Sequence, residues 1–165
     1  MELDSHSSKQ AYIQLLTDTL QRKLTAMQQL AVLTEQQEIL IDTELFDEGR
    51  FSETIAVKEE QIKLLAQLDN GFEQIYESVR DELLLNKYRY MSEIAALQEL
   101  ITSITDLSIK LQAKEVQNKS NLELLLTQKR KDIKKSRLNS QTVSKYYKSM
   151  AQQTQEQSFF YDKKK

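Results

Sequence analysis

Residues 83–94 read LLLNKYRYMSEI, and the path the chain takes between Leu83 and Ile94 decides the fold. Upstream, apolar residues recur at Ile55, Ile62, Leu65, Leu68, Phe72, Ile75, Val79 and Leu83, steps of three, four and seven that keep one helical face in phase. Downstream, a new stripe begins at Met91 and runs through Ile94, Leu97, Ile101, Ile104, Leu111, Leu122 and Leu125. The intervening NKYRY belongs to neither face, although it contains no Gly or Pro. One unbroken helix from 52 to 139 would be roughly 130 Å long at about 1.5 Å per residue. No other segment could cover its apolar face, so a tight turn around Asn86 to Arg89 is the reading that buries both stripes.

Working outward, a first helix carries Ile13, Leu16, Leu20, Leu24, Met27, Leu30 and Ala31, and after a polar TEQQE patch Ile41 and Leu45. LFDEGRFS, residues 45–52, reads as its end: Gly49 can close a helix in the left-handed conformation, and Ser52 can cap the next. DNG at 69–71 is a turn signal, yet the stripe passes Gly71 without slipping, which favours a continuous helix over a break. The expectation is an all-α fold, an elongated antiparallel three-helix bundle over residues 1–139 with helices at about 9–47, 52–85 and 88–138. Residues 140–165 follow as a flexible or loosely docked tail.

The composition agrees. Of 165 residues 39% are apolar and 29% charged, there is no Pro, Cys or Trp, and the two glycines are Gly49 and Gly71, a pattern of long helices rather than strands and turns. Lack of cysteine excludes disulfides and thiolate metal sites, and the sole histidine, His6, cannot make an imidazole cluster. No apolar run approaches a membrane span and the start, MELDSHSSK, lacks signal-peptide order, so the expected location is cytoplasmic. Charge is polarised: residues 1–128 hold 12 Lys+Arg against 22 Asp+Glu, whereas 129–165 hold 11 against 3.

A third helix reaching Leu138 would be longer than the second, so its last five turns are expected to overhang the bundle. Its seam is interrupted first, because the heptads from Ile94 and Leu97 land on Ser108, Glu115 and Asn118. Beyond lies SNLELLLTQKRKDIKKSRL, residues 120–138, with Leu122, Leu125, Leu126 and Ile133 on one side and Arg130, Lys131, Lys134, Lys135 and Arg137 on the other. Ser120 and Glu123 match a capping box, so a fresh helix after a kink is a second reading of this stretch. The four apolar residues hold on the order of 6 to 12 kcal/mol if covered, whether by the bundle, the tail, a second copy or another protein.

Reactive chemistry is missing. No phosphate-binding loop and no nucleophile, base and orienter set is present, and adjacent carboxylates such as Glu59 and Glu60 or Asp81 and Glu82 read as solvent-facing bundle charges. An enzyme is not expected, and neither a cofactor, a metal nor a small-molecule substrate. The basic run is a solvated helical face in the plainest reading. Nucleic acid is disfavoured by the acidic body and the lack of a groove-reading motif, and a membrane by an apolar face without Trp or Phe.

ETIAVKEEQIKLLAQLD at 53–69, IKLQAKEVQNKSNLELLL at 109–126, and a close of YYKSMAQ and FFYDKKK together resemble, in order and spacing, the FlgN-type flagellar export chaperones. The resemblance implies a cytoplasmic three-helix chaperone. It would bind the C-terminal helical segments of hook-filament junction (hook-associated) proteins, prevent their premature assembly, and deliver them to the type III export apparatus, with export-gate or ATPase components as further partners. Cargo contacts are then implied on the late third helix, at Leu111, Asn118, Leu122, Leu125, Leu126, Lys129 and Ile133. The interrupted seam and the strongly basic run exceed what the family requires. Tyr146, Tyr147, Phe159, Phe160 and Tyr161 would form a latch that covers the leucine stripe until cargo displaces it; a tail whose aromatics contact nothing is the alternative. A structural coiled-coil adaptor that self-associates through its C-terminal helix, or a nucleic-acid-associated helical protein, are the competing functions.

Overall fold

The computed structural model describes residues 2–43, 46–128 and 143–152, with side chains from residue 7 onward. The chain is all-α among these residues. Three long helices, α1 (Glu2–Asp42), α2 (Glu48–Leu85) and α3 (Met91–Gln128), are joined by short connections, and a short helix, α4, spans 143–152. Side-chain bonds fix the directions. Lys9 meets Ser78, Lys23 meets Asp69, and Gln37 meets Thr54, so α1 and α2 run antiparallel. Gln10 meets Glu93, Met27 meets Ser108, and Thr34 meets Glu115, so α1 and α3 run parallel. α1 is the shared partner on which both other long helices pack.

The turn at 86–90 answers the opening question. Asn86 N–H donates to the Glu82 carbonyl at 3.0 Å and ends α2, and Arg89 N–H closes back on the Asn86 carbonyl at 3.0 Å. Tyr90 is completely buried, and its hydroxyl donates to Glu82 Oε1 at 3.0 Å, so an aromatic ring pins the turn where no glycine or proline marks it. Leu83 goes into the core, whereas Leu84, Leu85, Tyr88 and Met91 stay exposed around the tip.

The first connection differs from expectation. Gly49 does not terminate α1, and no described glycine has a positive φ. α1 ends at Asp42, and Gly49 lies in the first turn of α2. Asp47, not Ser52, is the N-cap, its carboxylate accepting from Arg50 N–H at 3.0 Å. An extended Asp at this point satisfies an otherwise orphaned donor and complements the helix dipole, so the cap forms five residues earlier than a serine-based reading places it.

Gly71 lies inside α2, which continues through it. A Cβ added there would have nothing within 4 Å. Gly71→Ala is therefore expected to stabilise the chain by about 0.5 to 1 kcal/mol by removing unfolded-state freedom, seen as a higher urea midpoint with an unchanged slope.

The expected overhang is not present in the described part of α3. α2 and α3 are each 38 residues long, and Asn118 Nδ2 donates to the Thr34 carbonyl. Parallel register from that bond sets Leu122 level with the last turns of α1, where Ile41 and Phe51 are also buried. Residues 129–142, including Lys129, Ile133 and the basic run, lie outside the described residues.

Candidate functional site

At the level where the apolar stripes are interrupted, three helices bring polar side chains to one point. Lys58 of α2 is fully buried and spends all three ammonium donors: on Thr34 Oγ1 at 2.7 Å, on Gln37 Oε1 at 2.9 Å, and on Glu115 Oε1 in an ion pair. Thr34 Oγ1 also lies 2.8 Å from Glu115 Oε1, and Gln37 Nε2 donates to Thr54 Oγ1 at 3.0 Å. A buried charge persists only when paired and hydrogen-bonded, and this one is both. Burial pushes the Lys58 ammonium down to about 8, against the pull of the Glu115 carboxylate.

Carboxylates at this seam therefore differ from the surface charges that composition suggests: Glu115 and Asp69 are both buried opposite lysines. The local reason is periodicity. Leu30, Thr34, Gln37 and Ile41 step by four, three and four along α1, as do Leu111, Glu115, Asn118 and Leu122 along α3. The TEQQE patch thus continues the stripe with polar residues, and the parallel register stacks the two interruptions against each other.

α4 closes this point from outside. Val143, Tyr146, Tyr147 and Met150, spaced i, i+3, i+4 and i+7, are its buried residues. They form one apolar face of a helix. Tyr146 is 1% exposed and meets all three long helices: its hydroxyl donates to Glu115 Oε1 at 2.9 Å and lies 3.4 Å from Gln37 Oε1, and Lys58 Nζ sits 4.7 Å over its ring. An ammonium over a phenol face adds a cation–π attraction that the dry setting strengthens. Tyr147 packs edge-on against Tyr146 with centroids 4.8 Å apart, and Lys119 lies 5.9 Å over it. Burial, with the carboxylates of Glu115 and Glu123, pushes its phenol up, so it stays neutral. A groove remains open between α3 and α4, lined by Gln112, Val116, Lys119, Lys148 and Ala151.

Of the residues expected to contact a partner, Leu111, Asn118 and Leu122 are buried in the core, while Leu125 and Leu126 are half-buried at its edge. Of the aromatics expected to latch, Tyr146 and Tyr147 join the same cluster as Leu111 and Leu122. Phe159, Phe160 and Tyr161 lie outside the described residues. Reading the sequence missed Thr34, Gln37, Thr54 and Lys58 as members of the site. The signal was available in the steps 55, 58 and 62, which put Lys58 on the stripe of α2.

Comparison of the chain with protein-family models, curated proteins and solved structures gave no match. What the site can do therefore follows from its geometry. It holds an amphipathic helix of about three turns by four anchors and a polar centre. No described helix is long and apolar enough to cross a membrane.

Proposed function

We propose that the chain is a cytoplasmic export chaperone of the flagellar type III system. It would bind the C-terminal helical region of hook-filament junction proteins, keep them from assembling early, and hand them to the export apparatus. The protein is a binding module in this reading, an elongated bundle without catalytic function. The observation that carries it is α4 seated by i, i+3, i+4 and i+7 anchors against the late part of α3, which is how a groove accepts a partner helix. In the free protein α4 is the occupant, and Tyr146 and Tyr147 are the latch. A client helix takes its place over Leu111, Asn118, Leu122, Leu125 and Leu126.

Light scattering tests this. The full chain alone is expected at the mass of one copy, and with a junction-protein C-terminal segment at one copy of each. A second reading, a self-associating adaptor, is favoured by the exposed Leu84, Leu85, Tyr88 and Met91 at the turn, an apolar tip of a kind that marks contact surfaces. A chain that dimerises alone and ignores the segment would support the adaptor.

A further inference from the structure

We propose that the seat of α4 selects its occupant by a tyrosine hydroxyl at the second of four anchors, an assignment that rests on the exchangeable groove of the chaperone reading. The partner is accordingly an amphipathic helix with apolar residues at i and i+7, an aromatic at i+4, and a tyrosine, not a phenylalanine or an acidic residue, at i+3.

The selecting groups belong to the long helices and remain whichever helix is bound. Lys58 is held by Thr34, Gln37 and Glu115, so its ammonium points a fixed positive charge at the ring of the second anchor, 4.7 Å away. Any aromatic ring satisfies that contact. Glu115 Oε1 also accepts from the Tyr146 hydroxyl, and a ring without a hydroxyl cannot supply the donor. A site built around a hydrogen bond discriminates against the analogue lacking it: Glu115 Oε1 keeps Lys58 and Thr34 but loses the one donor the occupant supplies, and water is excluded from taking its place.

The balance of donors and acceptors excludes acidic anchors as well. Glu115 Oε2 and Asn118 Oδ1 are buried with no hydrogen-bond partner among the described residues, in residues that are 3% and 0% exposed. The seat thus presents surplus acceptors, and a carboxylate at the second anchor would add another beside Glu115. A hydroxyl, which brings a proton on an aromatic body, fits both demands.

The test uses the full chain carrying Lys148→Pro, which breaks α4 at an exposed position without altering any of its anchors. Labelled peptides of residues 140–155 are titrated in by fluorescence anisotropy, with the natural sequence, with Tyr146→Phe, and with Tyr146→Glu. The natural peptide is expected to bind at least about tenfold more tightly than the phenylalanine form, and the glutamate form least. In a chain that also carries Lys58→Met and Glu115→Leu, the preference for the hydroxyl should vanish. Equal binding of the tyrosine and phenylalanine peptides overturns the selection while leaving the groove intact. Binding of no peptide to the folded variant overturns the exchangeable groove, and this inference with it. Should Lys148→Pro not fold, hydrogen exchange decides in the otherwise intact chain: Tyr146→Phe must lower protection of 143–152 about tenfold, and unchanged protection overturns the selection.

Discussion

Lys58→Met lowers the stability of the chain by about 3 to 5 kcal/mol in urea denaturation, one of the two largest single-residue effects expected. The cost comes from what stays behind. Glu115 is 3% exposed, and without the ammonium its charge would face Thr34, Gln37 and Tyr146 with no cation bonded to it among the described residues. Removing one partner of a buried pair is much worse than removing both. Lys58→Met combined with Glu115→Leu should therefore recover at least half of the loss, because two apolar residues continue the stripes of α2 and α3. A single variant as stable as the parent would show that the pair is not buried in solution.

The same lysine sets a pH dependence. Its folded pKa of about 8 lies below the ordinary 10.5. Below about pH 8 both the folded and the unfolded chain hold the proton. Between about 8 and 10.5 the unfolded chain holds it and the folded chain has released it, so this group's contribution makes stability rise with pH across that window. Urea midpoints of the parent, measured relative to the double variant from pH 7 to 10, should climb above pH 8. A parent that loses stability relative to the double variant over that range would contradict the assignment.

Tyr146→Ala is the second large effect, and it should be local. The Tyr146 side chain meets groups on all three long helices, and truncating a core aromatic costs about 3 to 5 kcal/mol. α4 makes up ten residues, so it can release without unfolding α1 to α3. Hydrogen exchange should then show protection of 143–152 falling by at least about 100-fold, with the amides of α2 near Gly71 unaffected. Uniform loss of protection would mean that α4 is part of the cooperative core and not a separable occupant.

Much of this fold was legible in the periodicity. The phase change across NKYRY placed the hairpin, and the stripe through Gly71 kept α2 whole. Caps were harder to read, because Asp47 and Ser52 are both competent and only the path of the connection decides between them. Register was harder still: helix lengths from pattern alone carry none, and the Asn118 to Thr34 bond that aligns α3 with α1 joins residues 84 apart in sequence, while the turns expected to overhang lie mostly outside the described residues. The site was half visible. Ser108, Glu115 and Asn118 are legible as seam positions, but their partners on α1 and α2 read as solvated side chains until the register brings three interruptions to one level. Tyr146 and Tyr147 stood out as aromatics in a polar stretch. Their spacing to Val143 and Met150 is what makes them one face of a helix.

The central claim is that the seat of α4 is a client groove occupied from within. Hydrogen exchange of the full chain with and without a saturating junction-protein C-terminal segment tests it most directly. The account expects amides 143–152 to lose protection as the segment binds, while those of α3 from Leu111 to Leu126 keep or gain it. Binding of the segment with α4 protection unchanged would contradict it.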